Sequence, residues 1–251
     1  MRESDRKEVE RRLGGLDSPV KLLLFVEKSS PLILPGRESS RCEYCREIQQ
    51  LLEEVVGLSP QLSLEVVDWK EEPDRAPVYG VDKVPALVLL KGDGSDTRIR
   101  FYGIPAGYEF ATLIEDILDV GRGRTGLQEE TKEFLRGLEE PLHLQVFVTP
   151  TCPYCPQAVR LAHQMALESE KVRGDMIEAM EFPELAEEYG VMGVPRTVIN
   201  GEQYLEGAVP EGVLVQALQS IVKVKAEDRA TEGEAAMEAQ AQAGVDKQER
   251  S

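Results

Sequence analysis

All four cysteines of the chain fall into two pairs with one spacing: Cys42 and Cys45 in "RCEYCRE", Cys152 and Cys155 in "TCPYCPQ". A Cys-x-x-Cys pair suits a redox couple, half of a metal site or a structural staple. Each pair precedes helically spaced apolar residues: Ile48, Leu51, Leu52, Val55 and Val56 after the first, Val159, Ala162, Met165 and Ala166 after the second. At a helix N-terminus the unpartnered backbone N–H groups and the helix dipole favour negative charge. Cys42 and Cys152 are therefore expected to be exposed, with thiol pKa values below the ordinary ~8.5. Cys45 and Cys155, one turn on and deeper, are placed to resolve a mixed disulfide. Pro153 suits a first-turn helical position, where a missing N–H costs nothing.

The metal reading is weaker. Zinc ribbons bring their second pair within about 15–20 residues, whereas 106 residues separate Cys45 from Cys152. The two histidines, His143 in a strand pattern and His163 in a helix pattern, read as ordinary fold residues. A structural zinc protein stays as the alternative of another class; no metal is expected. The "GRGRTG" at 121–126 fits G-x-G-x-x-G but follows a helix pattern rather than a strand, so it reads as a helix stop and linker.

The pairs sit inside a repeat. Cys42 lies 43 residues before Pro85 and Cys152 lies 43 before Pro195, each proline following a valine, Val84 and Val194. Pro73 and Pro183 keep the same 110-residue offset, while "SPVKLLLFV" and "EPLHLQVFV" are offset by 122. The difference is an insertion, placed at residues 27–41, that holds Leu32, Ile33 and Leu34. Each half predicts one order of elements. A helix comes first (about 4–14; 128–138), then an apolar strand (20–26; 142–148), the cysteine helix, and a strand ("LSLEVVD"; "GDMIE"). A short helix such as "FPELAEEYG" precedes Val-Pro, then a hairpin, turned in the second half by Asn200-Gly201, and a closing helix (about 106–119; 211–223). The fold class is α/β, each half a mixed sheet flanked by helices. The expected domains are 1–122, 123–225 and a disordered acidic tail, 226–251, poor in branched and aromatic residues.

A proline at the start of a strand is awkward unless it serves something specific. A cis Val-Pro bond would turn the backbone of Val84 and Val194 towards the sulfurs, ready to pair with an extended substrate. Glu43, Tyr44, Pro153 and Tyr154 inside the pairs are candidates for tuning them, the tyrosines either lining the substrate surface or packing; Trp69 reads as packing.

The net charge of −17 argues against nucleic acid and anionic membrane as partners. No apolar run approaches the ~20 residues of a membrane span, and the charged start "MRESDRKEVERR" has no signal-peptide core. The expectation is a soluble cytoplasmic protein, where such cysteine pairs do metal or redox chemistry.

"CPYC", a Val-Pro 43 residues later, a hairpin and a closing helix resemble the thioredoxin/glutaredoxin superfamily. Two such units resemble the two-domain protein disulfide oxidoreductases (glutaredoxin-like proteins) of thermophilic archaea and bacteria, over about residues 4–224. The resemblance implies two tandem thioredoxin folds, Cys42 and Cys152 as attacking thiols, Cys45 and Cys155 as resolving thiols, and cis-prolines at Pro85 and Pro195. It implies no bound cofactor, protein disulfides as substrates, and recharging by an NADPH-dependent, thioredoxin-reductase-like flavoprotein or a small thiol. A related design, the N-terminal region of the alkyl hydroperoxide reductase flavoprotein, gives the alternative of an electron-transfer module serving a peroxiredoxin; it typically keeps one CxxC. The sequence departs from the family in two respects: "KLLLFV" and "LQVFV" carry no buried acid, and the insertion at 27–41 is extra, its Leu32, Ile33 and Leu34 either capping the first site or packing.

Overall fold

The computed structural model describes residues 2–27 and 42–224. The insertion with Leu32, Ile33 and Leu34 (beyond Glu27) and the 226–251 tail lie outside the described residues. The first half runs α1 (Glu3–Leu13), β1 (Val20–Val26), α2 (Cys45–Val56), β2 (Leu62–Asp68), α3 (Arg75–Val78), β3 (Ala86–Lys91), β4 (Asp96–Tyr102) and α4 (Glu109–Arg122). The second repeats it: α5 (Glu129–Arg136), β5 (Leu142–Val148), α6 (Cys155–Glu168), β6 (Val172–Glu178), α7 (Pro183–Glu188), β7 (Arg196–Ile199) and β8 (Gln203–Glu206). Residues 211–224 form a further helix, α8.

Local chemistry explains these elements. In α2, Ile48, Leu52 and Val55 recur at four- and three-residue steps and are the buried stripe. The unbroken apolar run of β1 is buried at nearly every position, as suits a strand covered on both faces. At the β7–β8 turn, Asn200 and Gly201 both have positive φ, 53° and 73°, the conformation a two-residue hairpin demands. Gly174 in β6 is fixed by close approach: a Cβ there would lie 2.7 Å from the Ala162 carbonyl oxygen of α6.

The eight strands form one sheet, in the order β2-β1-β3-β4-β6-β5-β7-β8. In each half the strand before the cysteines pairs parallel with the strand after the cysteine helix and antiparallel with the first hairpin strand. The halves join where β4 pairs parallel with β6, Ile99 opposite Gly174 through Tyr102 opposite Ile177. Alternation sends neighbours to opposite faces: Phe101 packs edge-on against His163 of α6, while Tyr102 packs against Phe182, beside α7. The core on that second face runs through both halves, from Leu23, Phe25 and Val88 to Phe147, Ile177 and Val198; Trp69 packs against it.

Arg173 of β6 pins the junction, donating to Gly80 O (2.8 Å), the Tyr102 hydroxyl (2.7 Å) and Asp175. Asp175 is fully buried, and against the cost of that burial His143 and Arg173 hold its carboxyl down at about 2. His163, also fully buried, hydrogen-bonds Asp116 of α4. Both histidines thus serve the fold. Among the described residues no group of three or more His, Cys, Asp or Glu side chains is arranged to hold a metal ion. No helix among them is long and apolar enough to cross a membrane.

Candidate redox sites

Each Cys-x-x-Cys pair is a disulfide, with Cα atoms 5.5 Å apart in both. The strands that lead into them, β1 and β5, run in the same direction, so both pairs emerge at the same edge of the sheet. Four strand steps separate β1 from β5. At ~4.8 Å per step, the two sites stand roughly 19 Å apart, too far for direct sulfur exchange across the sheet.

The helices start later than the sequence suggests. Cys45 and Cys155 are the first helical residues, after Tyr44 and Tyr154, and the first-turn proline is Pro156 rather than Pro153. Cys152 lies in the turn before α6, where its Sγ accepts the Cys155 backbone N–H at 3.1 Å. The sulfur itself caps the helix, so the dipole argument holds with the cysteine outside the helix rather than in it. Both first cysteines are drawn in, against the expectation of open sulfurs: Cys42 is 5% exposed and Cys152 8%. The expected depth order holds in the second pair, where Cys155 is fully buried, but not in the first, where Cys45 is 7% exposed.

The Val84–Pro85 and Val194–Pro195 bonds are both cis. Val194 O lies 3.8 Å from Cys152 Sγ. Pro85 O accepts the Gly103 N–H and Pro195 O the Gly207 N–H, tying each proline to the residue that follows its hairpin. Tyr44 and Tyr154 are exposed, 38% and 69%, which places both on the surface beside the disulfides. Glu43 and Pro153 are exposed within the same turns.

Four acidic residues escaped the sequence reading. Glu27, directly after β1, is buried, donates its N–H to Cys45 Sγ (3.3 Å) and pairs with Lys70. Glu109, in the first turn of α4, is 1% exposed with neither carboxylate oxygen hydrogen-bonded, and burial pushes it up to about 7. Just ahead of it, Tyr108 N–H bonds Pro150 O, two residues before Cys152, so the first half buttresses the second site. Conversely, the end of β6 reaches the first site. Glu181 accepts the Ile104 N–H at 2.6 Å, and Glu178 accepts the Glu181 N–H at 2.7 Å. Burial raises both carboxyls, Glu181 to about 7 with further repulsion from Glu178 and Glu43. The one sequence signal for any of these is that Glu178 occupies the repeat position of Asp68, an acid closing a strand.

Two disulfides at helix starts, the second capping its helix beside a cis Val-Pro, together with the mixed sheet define a thioredoxin-like redox protein. A family model described as "Thioredoxin domain" matches residues 142–220. A protein disulfide oxidoreductase from Aeropyrum pernix is 31% identical with a TM-score of 0.78, over 88% of this chain and 94% of that one. The NTD_N/C domain of alkylhydroperoxide reductase from Enterococcus faecalis is 30% identical with a TM-score of 0.77, over 87% of this chain and 99% of that one. An alkyl hydroperoxide reductase polypeptide from Staphylococcus aureus is 30% identical over 165 residues, which is 66% of this chain and 30% of that protein. The chain thus spans under a third of the curated relatives it matches. It belongs to the thioredoxin superfamily and resembles both the archaeal oxidoreductase and the reductase's NTD_N/C domain.

Proposed function

We propose that the protein is a thiol–disulfide oxidoreductase that reduces, forms or isomerises protein disulfides at both CxxC sites. The observation that carries this reading is the setting of Cys152: its sulfur caps α6, 3.1 Å from an amide N–H and 3.8 Å from the Val194 carbonyl. In the reducing direction the Cys152 thiolate attacks one sulfur of a substrate disulfide, and the other leaves as a thiolate that takes up a proton. Cys155 then loses its proton and attacks Cys152 Sγ, releasing the second substrate thiol and leaving the protein disulfide. Two electrons pass to the substrate. Cys42 and Cys45 take the same roles in the first site. Val84–Pro85 and Val194–Pro195 dock the extended substrate through their backbone, and Glu43, Tyr44, Pro153 and Tyr154 tune the sites.

Residues 1–122 and 123–225 serve as the two repeats, each with its own centre. The disulfides are returned to dithiols by an NADPH-dependent, thioredoxin-reductase-like flavoprotein or a small thiol, in the cytoplasm. A second reading rests on the likeness to the alkylhydroperoxide reductase domain: the chain carries electrons from a flavoprotein to a peroxiredoxin. Reduction of insulin by dithiothreitol separates them from inactivity. The wild type is expected to accelerate it and a variant with all four cysteines changed to serine is not; equal rates would overturn the exchange reading. A wild type that reduces an oxidised peroxiredoxin far faster than insulin would favour the second.

A further inference from the structure

The 110-residue offset allows the surfaces of the two sites to be compared position by position. Around the first disulfide stand Glu43, Arg46, Glu47, Asp82 and Lys83; the matching residues around the second are Pro153, Pro156, Gln157, Met192 and Gly193. Every charge of the first set is replaced by a neutral residue. Lys83 is engaged by Asp82 and lies 4.0 Å over the Tyr102 ring. Of this set that leaves Arg46, exposed like Glu43 and Glu47, while Lys70 is engaged by Glu27 beside Cys45.

The second half adds two more. Glu178 and Glu181 pack on Gly103, whose N–H holds the Pro85 carbonyl of the first site. Glu178 is 3% exposed, and its Oε1, like Oε2 of Glu181, is buried without a hydrogen-bond partner. Unpartnered buried carboxylate oxygens are costly unless a donor reaches them. The field of this cluster is felt at the site itself: Glu43 foremost, then burial, Glu181, Glu178 and Glu47 hold the Tyr44 phenol above its ordinary range. At the second site the corresponding strand, β8, is the outer strand of the sheet; among the described residues no further strand pairs with it, and its own Glu206 is engaged by Arg196.

We infer that the first site is a docking surface for disulfides carried on basic segments, with the exposed Glu43 and Glu47 receiving the lysine or arginine side chains of the substrate and Glu178 and Glu181 adding to their field from beneath, while the second site takes neutral segments. This rests on the exchange reading above. One repeat thereby binds in a field that the other repeat strengthens, and the chain sorts its substrates by charge.

The test uses the full chain in two forms, Cys152→Ser/Cys155→Ser with the first site alone, and Cys42→Ser/Cys45→Ser with the second. Each reduces two synthetic disulfide peptides, one flanked by lysines and one by glutamates, with dithiothreitol as reductant. The overall negative charge favours the lysine peptide at both sites, so the second-site form sets the background. The lysine-to-glutamate rate ratio at the first site should exceed that background about tenfold at low salt and shrink as salt is added. Glu43→Gln, an exposed change, and Glu181→Gln should each lower it several-fold. Equal ratios in the two forms, or ratios untouched by both substitutions, overturn the inference. Affinity of each oxidised form for serine-substituted versions of the peptides, by fluorescence anisotropy, reads the surface without exchange. A lysine preference there with no peptide reduction would sink the exchange reading and keep the surface; no preference there would sink the surface.

Discussion

Replacing Glu109 by Gln should stabilise the protein at neutral and alkaline pH and leave it nearly unchanged in acid. Glu109 is buried in the first turn of α4, with both carboxylate oxygens outside hydrogen-bond geometry, and Thr112, His163 and Asp116 are the polar groups that face it. Burial raises its pKa from 4.5 to about 7. An acid whose folded pKa lies above its unfolded value keeps its proton longer in the native state. Stability therefore falls as pH rises from about 4.5, and the loss is complete above about 7. The rise from 4.5 to about 7, at ~1.4 kcal/mol per pH unit, sets an upper bound near 3.5 kcal/mol, and relaxation around the carboxylate brings this to roughly 2. Gln keeps the shape and cannot ionise. Urea unfolding of the oxidised wild type and the variant at pH 4.5 and pH 8 reads the difference. The stability gap in favour of Gln should open by about 2 kcal/mol between the two values. A gap that is the same at both would refute the assignment of a buried, neutral carboxyl at this position.

Cys155→Ser and Cys45→Ser should trap mixed disulfides on Cys152 and Cys42, since attack survives and resolution does not; trapping seen only when Cys152 or Cys42 is removed would reverse the roles, and mass spectrometry of the adduct decides it. The first pair should be the more reducing: Glu43, partly offset by its sequence neighbours Arg41 and Arg46, costs its thiolate ~1 kcal/mol at an effective dielectric of ~20–80, which corresponds to about 20 mV. Glutathione titration of the two single-site forms checks this, and a first site more oxidising than the second would refute it. Gly174→Ala should destabilise the fold by about 1–3 kcal/mol, because its Cβ would meet the Ala162 carbonyl oxygen at 2.7 Å; urea unfolding measures it, and an unchanged midpoint would show that α6 moves aside freely.

Much of this protein was legible from its residues alone because the signals are local. Period-two and period-3.6 apolar patterns, the Asn200-Gly201 turn and the two Cys-x-x-Cys…Val-Pro blocks each depend on a few neighbouring residues, and the strands and helices form where those patterns place them. The helix starts were misplaced, since α6 begins three residues after Cys152, whose sulfur caps it, and the first cysteines proved buried where exposure was expected. What only the tertiary structure decided is how one half acts on the other. The β4–β6 pairing that merges the strands into one sheet is made by backbone groups, which every sequence carries, so no residue announces it. That pairing sets the end of β6 beside the first site and Tyr108 beside the loop before Cys152. Glu178, Glu181 and Glu109 read in the sequence as three of 46 acidic residues. Their character comes from burial, and burial belongs to the assembled sheet and helices.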